Sequence, residues 1–298
     1  MVAAGSAVRT VLKTQLEAMR AHEAGVIADR DPEDLHRYRV ALRRTRSCLG
    51  QMKGALPRKR MAKFKPEFAW LGEVTGPTRD LDVFLDDMKR YRKTLDGASL
   101  RDLESLIELI EHDKVSEHAR LTAQLDTDRY RSLISGWSGF LNAPFDVAEA
   151  PHAGRPIAEV AAERIHSRYE RMIRRGRRLD AMTETDRLHR LRIDGKKLRY
   201  LLEFFRDEFP TETITPLIAT LKRLQDHLGR FNDFQVQRDS VSSMAGRLKS
   251  AGSTSTVEHL LEQLTRKERR VRRRFADEFE RFDNEETARR IPALGISR

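Results

Sequence analysis

Apolar residues recur at three- and four-residue steps along most of this chain, through roughly 8–30, 33–54, 60–75, 79–95, 99–125, 156–179, 186–208, 214–228, 232–250 and 256–283. That spacing returns side chains to one face of a 3.6-residue helix and predicts about ten helices. No segment keeps the period-two alternation of a half-buried strand. The breaks coincide with residues that stop helices: Asp31-Pro32, Gly54 to Pro57, Gly76-Pro77, Asp96-Gly97, Pro210-Thr211 and Gly229. The expected fold class is all-α.

Residues 140–160, FLNAPFDVAEAPHAGRPIAEV, carry three prolines and little periodicity, and read as a linker between two halves. Those halves share a register. A shift of 153 residues lays LHRYRVALRRTRS (35–47) on LHRLRIDGKKLRY (188–200), and without a gap it sets Pro57 on Pro210, Leu71 on Leu224, Glu73 on Asp226, Gly76 on Gly229, Asp80 on Asp233 and Val83 on Val236. Such a register predicts duplication of a helical unit, with repeat 1 over about 8–139, a linker over 140–156, repeat 2 over about 157–285 and a tail over 286–298. Two like units facing each other give two helical bundles about a pseudo-twofold axis, so anything near the axis is presented twice.

Charge narrows the partner. Lysine and arginine number 57 against 46 acids, a net charge of +11, and a field of that sign concentrates anions. Nucleic acid, anionic lipid and other polyphosphates all qualify. Cys48 is the only cysteine, which excludes an internal disulfide and Cys-rich zinc sites and fits a reducing cytoplasm. No signal peptide or membrane-length apolar run is evident.

Position sharpens the reading. On a wheel of 100° per residue, Arg46, Arg39, Arg43 and His36 fall within about 80°, with Tyr38, Leu42 and Leu49 opposite. Arg199, Arg192, Lys196 and His189 repeat the stripe, with Leu191, Leu198 and Leu202 opposite. An ordinary solvated face mixes Glu with Lys or Arg at four-residue spacing, yet 35–47 holds five arginines and no acid. Like charges stacked this way cost stability, and their presence in both copies points to an anionic ligand. Arginine also grips two phosphate oxygens at once.

These residues resemble a known family. His-x-x-Arg-Val-x-x-Arg-Arg-x-Arg at 36–46 and Gly-Pro-x-Arg-Asp-x-Asp-Val at 76–83 look like the first half of the CHAD family, the conserved histidine alpha-helical domain. His-Arg-Leu-Arg-Ile at 189–193, Lys-Lys-Leu-Arg-Tyr at 196–200 and Leu-Gly-Arg-Phe-Asn-Asp at 228–233 are similar to its second half, so the resemblance spans roughly 8–285. It implies a central basic channel that binds inorganic polyphosphate, lined by His36, Arg39, Arg43, Arg44, Arg46 and Arg79 and by His189, Arg192, Lys196, Lys197, Arg199 and Lys222. The triphosphate-processing domain that often precedes these helices in the family is missing from this sequence, so the resemblance implies a stand-alone binder, not an enzyme, with no cofactor or metal. Association with polyphosphate granules would follow from the ligand. Asp194, Gly195 and Asn232, the last at the position of Arg79, depart from the pattern, so repeat 1 is expected to carry more of the binding.

Two rival functions stand beside this one: nucleic-acid binding, which charge alone supports, and metal-dependent hydrolysis of polyphosphate or a triphosphate, for which Asp80, Asp82, Asp86 and Asp87 are candidate ligands. Acids just after a turn more simply favour a helix start or orient an arginine. The segment RKERRVRRRF (266–275) holds seven cations in ten residues but is flanked by acids, and RRGRR (174–178) is similar; both stay outside the expected site. His112-Asp113 lacks supporting metal ligands, and Trp70 and Trp137 lack the aromatic interleaving of a single-strand platform.

Overall fold

The structure is a computed structural model that describes residues 1–93, 97–180, 183–245 and 251–295. Its helices are α1 Ala4–Ala28, α2 Pro32–Gln51, α3 Arg58–Val74, α4 Gly76–Arg92, α5 Gly97–Leu125, α6 Asp128–Asn142, α7 Ile157–Gly176, α8 Thr185–Phe204, α9 Thr211–Ala245, α10 Ala251–Arg273, α11 Phe275–Glu280 and α12 Glu285–Ala293. Among the described residues there is no strand, only an isolated bridge from Ala3 to Pro156. The fold is all-α. Asp96, half of one expected break, lies outside the described residues, as do 246–250 at the end of the helix expected over 232–250 and 296–298 in the expected tail.

Helix bounds follow the 153-residue register. Pro32–Gln51 and Thr185–Phe204 are 153 apart at both ends, and Thr211–Ala245 covers the positions of α3 and α4 together. One helix replaces two, and the junction differs at one backbone donor. Pro77 lacks the N–H that would continue the ladder across Thr75, whereas Arg230 at its counterpart has one, so Gly229 does not interrupt α9.

Helix α6 was absent from the expected set. Two glycines and three serines dilute its propensity, but Tyr130, Leu133, Trp137 and Leu141 still recur on one buried face and Thr127 caps its start. The Tyr130 hydroxyl donates to Glu23 at 2.7 Å and accepts from Tyr38 at 3.0 Å, tying α6 to α1 and α2. Helix α12, Glu285–Ala293, begins at the expected end of repeat 2, runs into the segment read from the sequence as a tail, and buries Ile291. The expected linker is pinned to the N-terminus by Gly5 N–H to the Ala153 carbonyl and Ile157 N–H to the Val2 carbonyl.

The buried residues form two clusters, and neither belongs to one half alone. The larger gathers α1–α3, the end of α5 and α6 with α7, α8, the first part of α9, α11 and α12. The smaller packs Phe84, Leu85 and Met88 of α4 and Leu103, Leu106 and Ile110 of α5 against Val241 of α9 and Leu260 and Leu264 of α10. Like meets like across the halves: α1 packs on α7 and α2 on α8.

Candidate anion-binding cleft

Helix α2 begins at Pro32 because Asp31 caps it, accepting from Glu33 N–H at 2.8 Å, with Glu33 and Asp34 favoured by the dipole of the first turn. Burial of Tyr38, Leu42, Thr45 and Leu49 then fixes its rotation and leaves Arg39 and Arg43 on another face. Leu188, Leu191, Leu198 and Leu202 do the same for α8.

A cavity of about 330 Å³ opens where α2, α4, α8 and the later part of α9 converge. Most of its lining comes in pairs at the 153-residue register: Arg39 with Arg192, Arg79 with Asn232, Asp80 with Asp233, Val83 with Val236, Phe84 with Gln237 and Asp87 with Ser240. His36 and Arg43 complete it. Their counterparts stand at its margin: His189 hydrogen-bonds Asn232 at 3.0 Å, and Lys196 lies in the fields of Arg192, Arg43 and Asp233.

A family model described as CHAD domain matches residues 10–242. The chain belongs to the CHAD domain family. Its fold is similar to the crystal structure of the CHAD domain from the plant Ricinus communis, with a TM-score of 0.77 at 24% identity over 95% of this chain and 91% of that one. PptA from Streptomyces chartreusis is similar with a TM-score of 0.66 at 15% identity, over 94% of this chain and 100% of that one. At these identities the likeness is one of fold. No curated protein matches the chain.

The cations of this CHAD domain are crowded. Burial lowers the pKa of His36, and the charge of Arg79 lowers it further. Burial likewise lowers Arg39 and Arg192, both of which remain charged near neutral pH. Lys196 is brought down to about 8 by burial, then by Arg192 and Arg43. Desolvation raises the carboxyls of Asp80 and Asp233, against the pull of Arg39 and Arg79 on the first and of Arg192 and Lys196 on the second. An anion entering here would relieve the repulsion among the cations.

The two arginines at corresponding positions are not held alike. Arg39 Nη1 donates to the Gly72 carbonyl at 3.0 Å and to Thr75 Oγ1 at 2.7 Å. Those partners exist because α3 ends at Thr75; the counterpart of Thr75 is Leu228, within α9. Arg192 Nε is buried without a hydrogen-bond partner. The sequence reading that repeat 1 dominates binding therefore meets a geometry in which the repeat 2 arginine is the uncommitted one. Asp194 and Gly195 are buried away from the cleft, and α8 runs unbroken through both.

Other expected site residues distribute as follows. Arg46 extends the stripe over Gly72, where an added Cβ would stand 2.5 Å from its Nη1. Arg79 lies 3.4 Å from the Pro32 carbonyl and 4.0 Å from buried Asp82, which Lys114 holds at 3.0 Å. Arg44 turns from the cleft to Glu203 at 2.5 Å, with its guanidinium over Phe204 at 4.8 Å. Arg199 approaches the same Glu203 at 3.5 Å. Lys197 faces Arg168, Arg171, Arg175 and Asp194, and Lys222 is exposed on α9 outside the cleft.

Sequence reasoning missed the wall formed by Phe84, Asp87, Gln237 and Ser240, in which Gln237 hydrogen-bonds Asp87. A signal was present, since positions 80, 83, 84 and 87 share one helical face and reappear at 233, 236, 237 and 240. The acids weighed as metal ligands have cationic partners: Asp82 is held by Lys114, and both Asp86 and Asp87 pair with Arg90. Among the described residues no three His, Cys, Asp or Glu side chains are grouped to hold a metal ion, and no helix is long and apolar enough to cross a membrane. Cys48 packs in the core, where burial pushes its thiol up to about 12.

Proposed function

We propose that this CHAD domain binds inorganic polyphosphate in the cleft between α2 and α8, without cleaving it. The observation that carries the reading is the paired lining, in which six positions of one half meet their six counterparts in the other. An axis relating the halves would pass between Arg43 and Lys196, which are counterparts and near neighbours. A site that presents the same groups from both sides suits a ligand that reads alike from both ends. An unbranched phosphate chain does; a nucleic acid strand has a direction and bases that call for stacking platforms. The one aromatic in the lining, Phe84, is 4% exposed.

The mechanism is electrostatic. Guanidinium forks and the Lys196 ammonium replace water and counterions around successive phosphates, and Arg46 and Arg199 extend the basic path into a channel beyond the cavity. A single phosphate meets few of these groups, whereas a chain engages many at once and gains affinity as linked sites do.

Competition tests the ligand. Long-chain polyphosphate should resist displacement by duplex DNA or RNA at equal phosphate concentration in physiological salt; displacement would overturn the reading in favour of nucleic acid. Phosphate release with magnesium or manganese, lost on Asp80→Asn or Asp233→Asn, would replace binding by hydrolysis.

A further inference from the structure

The face of α8 turned away from the cleft carries a second concentration of positive charge. At 100° per residue, His189, Arg192, Lys196 and Arg199 occupy one side of α8, and Arg187, Arg190, Asp194 and Lys197 the opposite side. There Arg175 in the last turn of α7, Arg178 just beyond it, and Arg187 and Arg190 at the start of α8 line a cavity of about 220 Å³ with Leu179. No carboxylate lines it.

One buried acid frames this cavity from below. Asp194, 2% exposed, pairs with Arg175 and is approached by Arg168 at 3.5 Å and Arg171 at 3.9 Å. A single carboxylate thus faces three guanidiniums. The outer three arginines pair with no acid among the described residues: Arg187 donates to the Arg178 carbonyl at 3.3 Å and Arg190 to the Asp186 carbonyl at 3.2 Å. A number of surface arginines elsewhere are paired instead, as in Arg37 with Glu33, Arg90 with Asp86, Arg131 with Asp126 and Asp128, and Arg177 with Asp283.

The other half supplies an internal comparison. The positions 153 residues earlier are His22, Gly25, Asp34 and Arg37. His22 and Asp34 hydrogen-bond at 2.8 Å, Asp34 fills the space a side chain at Gly25 would need, and Arg37 is neutralised by Glu33 at 2.9 Å. Where repeat 1 joins its first two helices by an acid–histidine contact, repeat 2 has an arginine in place of the acid, another in place of the histidine and a third in place of the glycine. Such stacking of like charges destabilises the empty protein, and a bound anion offsets it.

We propose that this cavity is a second phosphate-binding site, separate from the cleft, in which Arg178, Arg187 and Arg190 grip a compact phosphate oligoanion while Asp194 holds Arg175 in place behind them. Planar forks converging on a small volume match the closely spaced oxygens of linked phosphates. The occupant is either a free short oligophosphate or the end of a long chain, since both present the same groups. The assignment stands on this cluster and does not depend on the cleft.

Calorimetric titration of the full chain with inorganic tripolyphosphate, and in parallel with long-chain polyphosphate, tests it. In an R43A/R192A background, which disables the cleft, a binding event should remain, and adding R178A/R190A should weaken it by about tenfold or more. Weakening for tripolyphosphate identifies a free oligophosphate as occupant, and weakening confined to the long chain identifies a chain end. No residual binding in R43A/R192A, or residual binding indifferent to R178A/R190A, overturns the site. The unfolding midpoint separates these outcomes from misfolding, since removing like charges should leave it unchanged or raised. The cleft is judged apart, by whether R43A/R192A loses long-chain affinity relative to the unmodified protein.

Discussion

Arg43 of α2 and Lys196 of α8 are counterparts at the 153-residue register, and they meet: with burial and Arg192, the Arg43 guanidinium holds the Lys196 pKa down to about 8. An ammonium that readily loses its proton sits at the middle of the basic stripe. Its protonation is therefore open to control by a ligand.

That relationship predicts a pH dependence. In the unfolded chain the lysine titrates near 10.5, so between about pH 8 and that value the unfolded chain holds a proton the folded chain has released. Stability of the empty protein should rise with pH across this window, the destabilising effect of charged Lys196 being complete below it. A phosphate chain acts oppositely, because it favours the ammonium and raises the pKa. Binding at about pH 8.5 should then take up a proton, and affinity should fall as pH climbs through the window. Calorimetry in buffers of different ionisation heat measures the uptake. Wild-type binding without it, or with uptake unchanged in Lys196→Met, removes Lys196 from the site.

Adjacent arginines on α2 should behave differently. Arg43 lines the cleft without a carboxylate partner, whereas Arg44 points to Glu203 and the Phe204 ring. Arg43→Ala should lower long-chain affinity and reduce the slope of log affinity against log salt by about 0.7, the release expected for one neutralised charge on a single strand. Arg44→Ala should leave that slope unchanged and lower stability by about 1 kcal/mol through the lost ion pair and ring contact. Equal slopes for the two variants would contradict the placement of the cleft.

Corresponding arginines should be unequal as well. Arg39 has its Nη1 engaged by Gly72 and Thr75, while Arg192 Nε is buried and unpaired. A donor without a partner in the empty protein gains more from a phosphate oxygen than one that already has two. Arg192→Ala should therefore weaken long-chain binding more than Arg39→Ala, in direct titrations at one salt concentration. The opposite order would restore repeat 1 as the dominant half.

Much of this was legible in the sequence because it depends on periodicity. The all-α class, the 153-residue register and the faces of α2 and α8 follow from which residues recur every three or four positions, and burial of Leu42 or Leu191 leaves their rotation little freedom. Helix α6 was missed because glycine and serine dilute a pattern whose strength lies in four buried residues. The partner of Arg44 was hidden for another reason: nothing local says that Glu203, on a different helix, will take it. The sharing of both cores between halves was equally hidden, since the register says which elements correspond and not which ones interleave.

Asp194 illustrates the same limit and yields the last prediction. As a residue in a basic helix it reads as a defect in an anion-binding face, yet its side chain is buried on the far side of α8 among Arg168, Arg171 and Arg175. Removing a buried charge leaves its partners uncompensated, at a cost of roughly 3 kcal/mol. Asp194→Asn keeps the volume and removes the charge, so it should lower the unfolding free energy by that amount, read as a lower urea midpoint with an unchanged slope. Affinity at the cleft should persist, because Arg192 and Lys196 face the other way. A variant as stable as its parent would mean that solvent, and not Asp194, holds the three guanidiniums.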